Sequence, residues 1–210
     1  MNKVVAVAGT NDIGNQSAGD RYAIEKLIRH EAFNGGTFFN DIALLRSASP
    51  IEIRKSDSAY QVNTICLPPY NTAKVEFPPA TADVAGWGYT DFFNGEVEKR
   101  LRRVTVSLIE HNDCYHVYAD KLKIYMSNQT LCYGKDGKDS CSGVFNSIPL
   151  KKLSTNFIFS PGDSGGSLVK KVGPQTTAIG LVSFGRLCAQ YPGVYTNIVD
   201  FRDWIAKHIY

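Results

Sequence analysis

The chain has no long apolar run. No stretch approaches the roughly 18 consecutive apolar residues that a membrane-spanning helix needs, so no membrane partner of that kind is expected. Excess charge of one sign is also scarce. The 23 Lys and Arg against 20 Asp and Glu leave +3 over 210 residues, too little to argue for nucleic acid. Neither a Cys-x-x-Cys nor a cysteine–histidine cluster at zinc-ligand spacing occurs, so neither a metal nor a cofactor is expected. A long apolar start is missing as well: Met1–Gly9 holds only a brief apolar stretch with polar residues directly after it, which is no convincing signal peptide.

What is present is ordinary for a soluble globular protein: 43 % hydrophobic and 20 % charged residues. The length suits one large domain or two small ones sharing an interface. Five cysteines, Cys66, Cys114, Cys132, Cys141 and Cys188, are widely and irregularly spaced. That spacing suits structural disulfides in a secreted protein, and the odd count leaves one thiol over. Two glycosylation sequons, Asn15-Gln16-Ser17 and Asn128-Gln129-Thr130, fit the same compartment.

Short apolar runs between turn residues predict strands at Val4–Val7, Ala23–Ile28, Ile42–Leu45, Asp83–Gly86, Arg103–Leu108, Thr130–Tyr133, Ser167–Val169, Ala178–Ser183 and Gly193–Thr196. Many short strands with Gly, Asn and Pro between them point to an all-β barrel or sandwich. At the C-terminus the period changes. Ile198, Phe201, Trp204, Ile205, His208 and Ile209 recur at helical spacing, with Asn197 or Asp200 as cap. A second short helix is expected over Glu110–Tyr118. Pro68, Pro69, Pro78 and Pro79 read as a connector between halves. The run Glu98–Arg103 is a solvated loop leading into a strand, or a polyanion-binding or protease-sensitive segment.

Chemistry concentrates in Gly162-Asp163-Ser164-Gly165-Gly166. A serine in a Gly-rich turn exposes its hydroxyl and frees backbone N–H groups to face a developing negative charge. Those are the needs of a nucleophile with an oxyanion hole. Such a serine requires a base, usually a histidine held by an acid. Asp41, just before the apolar run Ile42–Leu45, suits an orienting carboxylate.

Together with Gly86-Trp87-Gly88, Ser183-Phe184-Gly185 and Pro192-Gly193-Val194-Tyr195-Thr196, these segments resemble the trypsin/chymotrypsin family of serine proteases over nearly the whole chain. The resemblance implies two antiparallel β-barrels, the first incomplete, and a C-terminal helix. The parts would be 1–68 (partial N-terminal barrel), 69–82 (connector), 83–196 (C-terminal barrel) and 197–210 (helix). It also implies Asp41 as triad acid, Ser164 as nucleophile, and the Gly162 and Ser164 N–H groups as oxyanion hole. Ser183 and Gly185 would bind substrate backbone as an added strand. Asp163 would accept an N-terminal amine after activation. Asp139 in Asp139-Ser140-Cys141 resembles the base of a pocket for Arg or Lys, with Gly185 and Gly193 as walls; taken alone, Asp139 reads as a turn residue. Cys114 would pair with Cys132 and Cys141 with Cys188. Cys66 would stay unpaired here, or tether a pro-region in relatives of this kind. The implied partners are protein substrates and protease inhibitors of the serpin or another type.

Two departures stand out. The family's Ala-Ala-His-Cys segment, roughly 45 residues before the acid, does not occur ahead of Asp41. His30, His111, His116 and His208 read as packing or solvated residues. An activation site with Ile-Val-Gly-Gly is also missing, so these residues by themselves are expected to be nearly inactive. Second, Val144–Gly162 separates Cys141 from Ser164. Deleting it restores Asp-Ser-Cys-Ser-Gly-Asp-Ser-Gly-Gly. The insertion is a retained intron read in frame or a real surface loop, and it leaves Gly143 and Gly162 both eligible as the oxyanion-hole glycine. The chain is then an incomplete gene model of a secreted protease, a non-catalytic homologue that binds or regulates, or a misspliced product.

Overall fold

Period-2 alternation builds the larger half of the molecule. In Arg102–Ile109 the residues Val104, Val106 and Leu108 turn inward while Thr105 and Ser107 turn outward. In Thr81–Gly86, Ala82 and Val84 face the same core, and Asp83 stays outside, where it accepts the Thr105 hydroxyl at 2.6 Å. The computed structural model describes residues 4–54, 62–70, 80–88, 98–134, 162–185 and 191–209.

In chain order the elements are β1 (Val5–Ala8), β2 (Asp20–Arg29), β3 (Ala43–Ser47), β4 (Thr81–Gly86), β5 (Arg102–Ile109), α1 (His111–Leu122), β6 (Thr130–Gly134), β7 (Ser167–Val172), β8 (Gln175–Phe184) and β9 (Gly193–Asn197). A 3₁₀ turn, Ile198–Phe201, then runs into α2 (Arg202–Ile209). Strands β4 to β9 close into an antiparallel barrel in the order β4-β5-β6-β9-β8-β7. Pairing of Asp83 and Val84 with Val169 and Leu168 shuts the ring. Strands β1-β2-β3 form a separate antiparallel sheet. This is the all-β architecture expected, with one closed barrel, a partial sheet and a C-terminal helix.

Ala82, Val84, Val106, Leu131, Tyr133, Leu168, Ile179, Val182 and Tyr195 fill the barrel. Strand β6 is buried on both faces, because Cys114 and Tyr118 of α1, with Met126 from the segment after it, cover its outer side. The Cys114–Cys132 disulfide fastens that helix to the strand, as the family resemblance implied. A third cluster, with Ile42, Ala178, Ile198, Phe201, Trp204 and Ile205, joins the partial sheet to the barrel and to α2.

Boundaries shift for local reasons. Helix α1 runs past Tyr118 to Leu122, because no glycine or proline stops it. It ends where Lys123 adopts φ 59° and donates its N–H to the Tyr118 carbonyl. Strand β4 begins at Thr81, inside the expected connector 69–82. The C-terminal segment opens as a 3₁₀ turn, capped by Asn197 Oδ1 accepting the Val199 N–H at 3.2 Å.

Candidate active site

Ser164 lies on an exposed turn that leads into β7. The turn closes through the Gly166 N–H donating to the Asp163 carbonyl at 2.9 Å. A Cβ on Gly166 would stand 2.8 Å from that same oxygen, so only glycine lets the chain fold back so closely. Gly162 has φ 119°, and Gly88 Cα lies 2.7 Å from where a Cβ would sit. Two bonds tie the turn to β8: the Gly165 N–H to the Val182 carbonyl (2.9 Å), and the Val182 N–H to the Gly166 carbonyl (2.8 Å).

The next residue on β8 holds the acid. Ser183 is buried, and its Oγ donates to Asp41 Oδ2 at 2.7 Å. From β9 the buried Thr196 donates its hydroxyl to the Asp41 carbonyl at 2.7 Å. Asn40 before it sits at φ 55°, a left-handed turn that asparagine tolerates. Asp41 is therefore fixed by backbone and by side chain, and both partners come from the other half of the molecule. Consecutive residues of one strand, Val182 and Ser183, carry the Ser164 turn and Asp41.

Asp163 points away from solvent toward Gly86-Trp87-Gly88. Its Oδ1 accepts the Gly88 N–H at 2.7 Å. A Cβ on Gly88 would fall 2.5 Å from the carboxyl carbon, so the glycine is needed for the acid to enter. Burial pushes the Asp163 carboxyl above its ordinary value, and the Gly88 hydrogen bond pulls the other way.

All four histidines are engaged elsewhere. His30 stacks on Trp204 at 5.0 Å and meets the edge of Phe201. His208 Nδ1 lies 2.8 Å from the Trp204 carbonyl, His111 Nε2 lies 3.2 Å from the Ser127 carbonyl, and His116 pairs with Asp120. The Trp204 indole N–H donates to Glu31 at 2.8 Å, which holds that carboxyl below its ordinary value.

The chain matches the family model for trypsin over residues 1–144 and 157–205. It belongs to the trypsin family. It is 32 % identical over 193 residues to the proclotting enzyme of Tachypleus tridentatus, covering 90 % of this chain and 44 % of that protein. It is 33 % identical over 195 residues to U21-ctenitoxin-Pn1a of Phoneutria nigriventer, covering 89 % of this chain and 69 % of that one. Trypsin eta of Drosophila erecta is 31 % identical over 209 residues, covering 98 % of this chain and 67 % of its own length. The chain thus spans under half the length of one relative and about two thirds of the other two.

The structure brings Asp41, Ser183, Asp163, Gly162 and the Ser164 turn together around β8. Gly193 is buried at the head of β9, paired with Tyr133, and Gly185 follows the last residue of β8. Cys66 is a half-buried free thiol whose backbone pairs beside Thr177 of β8. Asp139, Cys141, Cys188 and residues 144–161 of the insertion lie outside the described residues. Sequence reasoning missed two contributions. Ser183 was expected to meet substrate through its backbone, yet its hydroxyl serves Asp41. Thr196 was not singled out as a functional residue. The signal for it was weak, a hydroxyl next to the apolar, buried residues Val194 and Tyr195 of the same strand.

Proposed function

We propose that this chain derives from a secreted serine endopeptidase that cleaves peptides after Arg or Lys through an acyl-enzyme. One observation supports it above the rest: Val182 and Ser183 of β8 hold the Ser164 turn and Asp41 side by side. In that chemistry Ser164 Oγ attacks the peptide carbonyl while a histidine takes its proton, and the Gly162 and Ser164 N–H groups receive the oxyanion. The histidine then protonates the leaving amine, and water releases the acyl group. Asp41, held from two sides, would keep the imidazole in the right tautomer. Gly162, with φ 119°, supplies the oxyanion-hole glycine in this reading, with Gly143, which lies outside the described residues, as the alternative. Asp139 would set the preference for cationic side chains, with Gly185 and Gly193 leaving room beside it. Protein substrates, serpin-type or other inhibitors, and a pro-region tethered through Cys66 are the partners of such an enzyme.

These 210 residues would turn over peptide poorly by themselves. Loss of the triad histidine costs on the order of 10⁶ in turnover, roughly 8 kcal/mol of transition-state stabilisation. The segment 144–162 is read as a retained intron; residues 145–156 fall outside the family match, which supports an insertion there, whether intron or surface loop. A fluorophosphonate probe tests both halves of the proposal. The chain as it stands should label weakly. A chain extended upstream by an Ala-Ala-His-Cys segment should label strongly at Ser164 and prefer Arg or Lys substrates. Strong labelling of the unextended chain would overturn the claim of inactivity, and a preference for aromatic substrates would overturn the pocket assignment.

A second reading, a non-catalytic homologue that binds or regulates, is favoured by one observation. Each histidine present is committed to a contact away from Asp41. Upstream genomic sequence without a histidine-bearing segment would support it.

A further inference from the structure

We propose that Asn15 is a site of N-linked glycosylation, so that the loop between β1 and β2 carries an oligosaccharide. The inference rests on the secretory route proposed above. Two sequons are visible in the sequence, and the structure ranks them. At the first, Asn15, Gln16 and Ser17 are all exposed. Asn15 Oδ1 accepts the Ser17 N–H at 3.0 Å, and the Asn15 carbonyl accepts the Ala18 N–H at 3.0 Å. A planar amide with its oxygen turned into the loop carries its Nδ2 on the outer side. The nitrogen to be modified and the residue that licenses the sequon are thus presented together.

The second sequon is built differently. Asn128 is exposed, but Thr130 is the first residue of β6 and is buried. Its hydroxyl already donates to the Ser127 carbonyl at 2.6 Å. Cys132, two residues on, is bonded to Cys114. Once β6 pairs and the disulfide closes, an enzyme that must hold Asn128 and Thr130 together loses its grip. The loop at Asn15 stays reachable before and after folding.

The donor is an oligosaccharide linked to a lipid diphosphate. A bond forms between Asn15 Nδ2 and the anomeric carbon, and the bond from that carbon to the phosphate oxygen breaks. The lipid diphosphate leaves, and the Nδ2 proton passes to a base. The glycan would stand beside the basic run, because Gly14 lies over Lys99: a Cβ on Gly14 would be 2.9 Å from Lys99 Cδ, and Ile13 N–H donates to the Lys99 carbonyl at 2.8 Å.

The test is peptide mapping of the full chain secreted from a eukaryotic host behind a supplied signal peptide. Treatment with peptide-N-glycosidase converts each glycosylated Asn to Asp. Asp is expected at position 15, with higher occupancy than at 128. Ser17→Ala should abolish the modification at 15, and Ser17→Thr should keep it. An unmodified Asn15 in the secreted wild-type chain overturns the site. Equal or higher occupancy at Asn128 overturns the structural ranking. If Ser17→Ala is not secreted, the wild-type map alone decides. The supplied leader separates this proposal from the secretory reading, which fails only if the native protein is absent from extracellular fluid.

Discussion

The three-stranded sheet and the six-stranded barrel are made from similar strands but bury them very differently. In the barrel, Val106, Leu168 and Tyr195 are fully shielded. In the sheet, Leu27 of β2 and Leu45 of β3 sit directly opposite each other, 64 % and 54 % exposed, and Val5 and Val7 of β1 are about half exposed. Closure makes the difference. A ring gives each inward side chain neighbours on every side, whereas three strands have one face that nothing else in the described residues covers. Alternation in the sequence states which face is apolar; it does not state whether that face is covered.

The largest effect that tests this contrast is in the barrel core. Leu168→Ala should lower stability by roughly 2–5 kcal/mol, since its cavity cannot collapse inside a closed ring. The midpoint of urea unfolding, followed by circular dichroism, measures it. A loss below about 1 kcal/mol would mean that the barrel packs no better than the sheet.

Next comes the disulfide that fixes α1 to β6. Replacing Cys114 and Cys132 with Ala removes a cross-link over a separation of 18 residues, for which chain entropy gives about 3 kcal/mol. Thermal unfolding should show it. The same comparison at Cys66, a free thiol, should show far less on Cys66→Ala.

At the seam between the halves, Thr196→Val should cost about 1–3 kcal/mol, because it leaves the Asp41 carbonyl without its buried donor. Thr196→Ser should recover most of that. If Val and Ser behave alike, the clamp on Asp41 is no more than packing.

Asp163 gives a pH-dependent contrast. Its folded value lies above 3.8, with burial as the main cause. An acid raised on folding binds its proton more readily in the folded state than in the unfolded one. Its ionised form therefore costs stability at neutral pH, and the cost fades as pH falls through the folded value and vanishes below 3.8. Asp163→Asn keeps an oxygen for the Gly88 N–H. It should unfold later than wild type at pH 7, and the two should converge in acid. In a processed parent with an amine paired to Asp163, the sign at pH 7 would reverse.

The strands were legible because alternation is local. All nine expected strands form, and the errors lie at the ends of elements: Lys123 in a left-handed turn ends α1, and Asn197 at the end of β9 caps a 3₁₀ turn. The family and the serine turn were legible because Gly162–Gly166 is contiguous in sequence. The seam was not. Ser183 and Thr196 meet Asp41 across 142 and 155 residues, and nothing local marks a hydroxyl as the partner of one distant carboxylate. His30 rests against Phe201 of the 3₁₀ turn and Trp204 of α2.

The smallest effect is the most telling one for the comparison. Leu27→Ala in the 210-residue chain should shift stability by no more than about 0.5 kcal/mol, because a side chain already in water has little burial to lose. It should also reduce concentration-dependent self-association in light scattering, since Leu27 and Leu45 form an apolar pair beside an open sheet. In a chain extended upstream by strands that cover this face, the same substitution should cost roughly 2–5 kcal/mol, like Leu168→Ala. Equal losses at Leu27 and Leu168 in the unextended chain would mean that the sheet is already covered there, and the contrast between the two halves would then disappear.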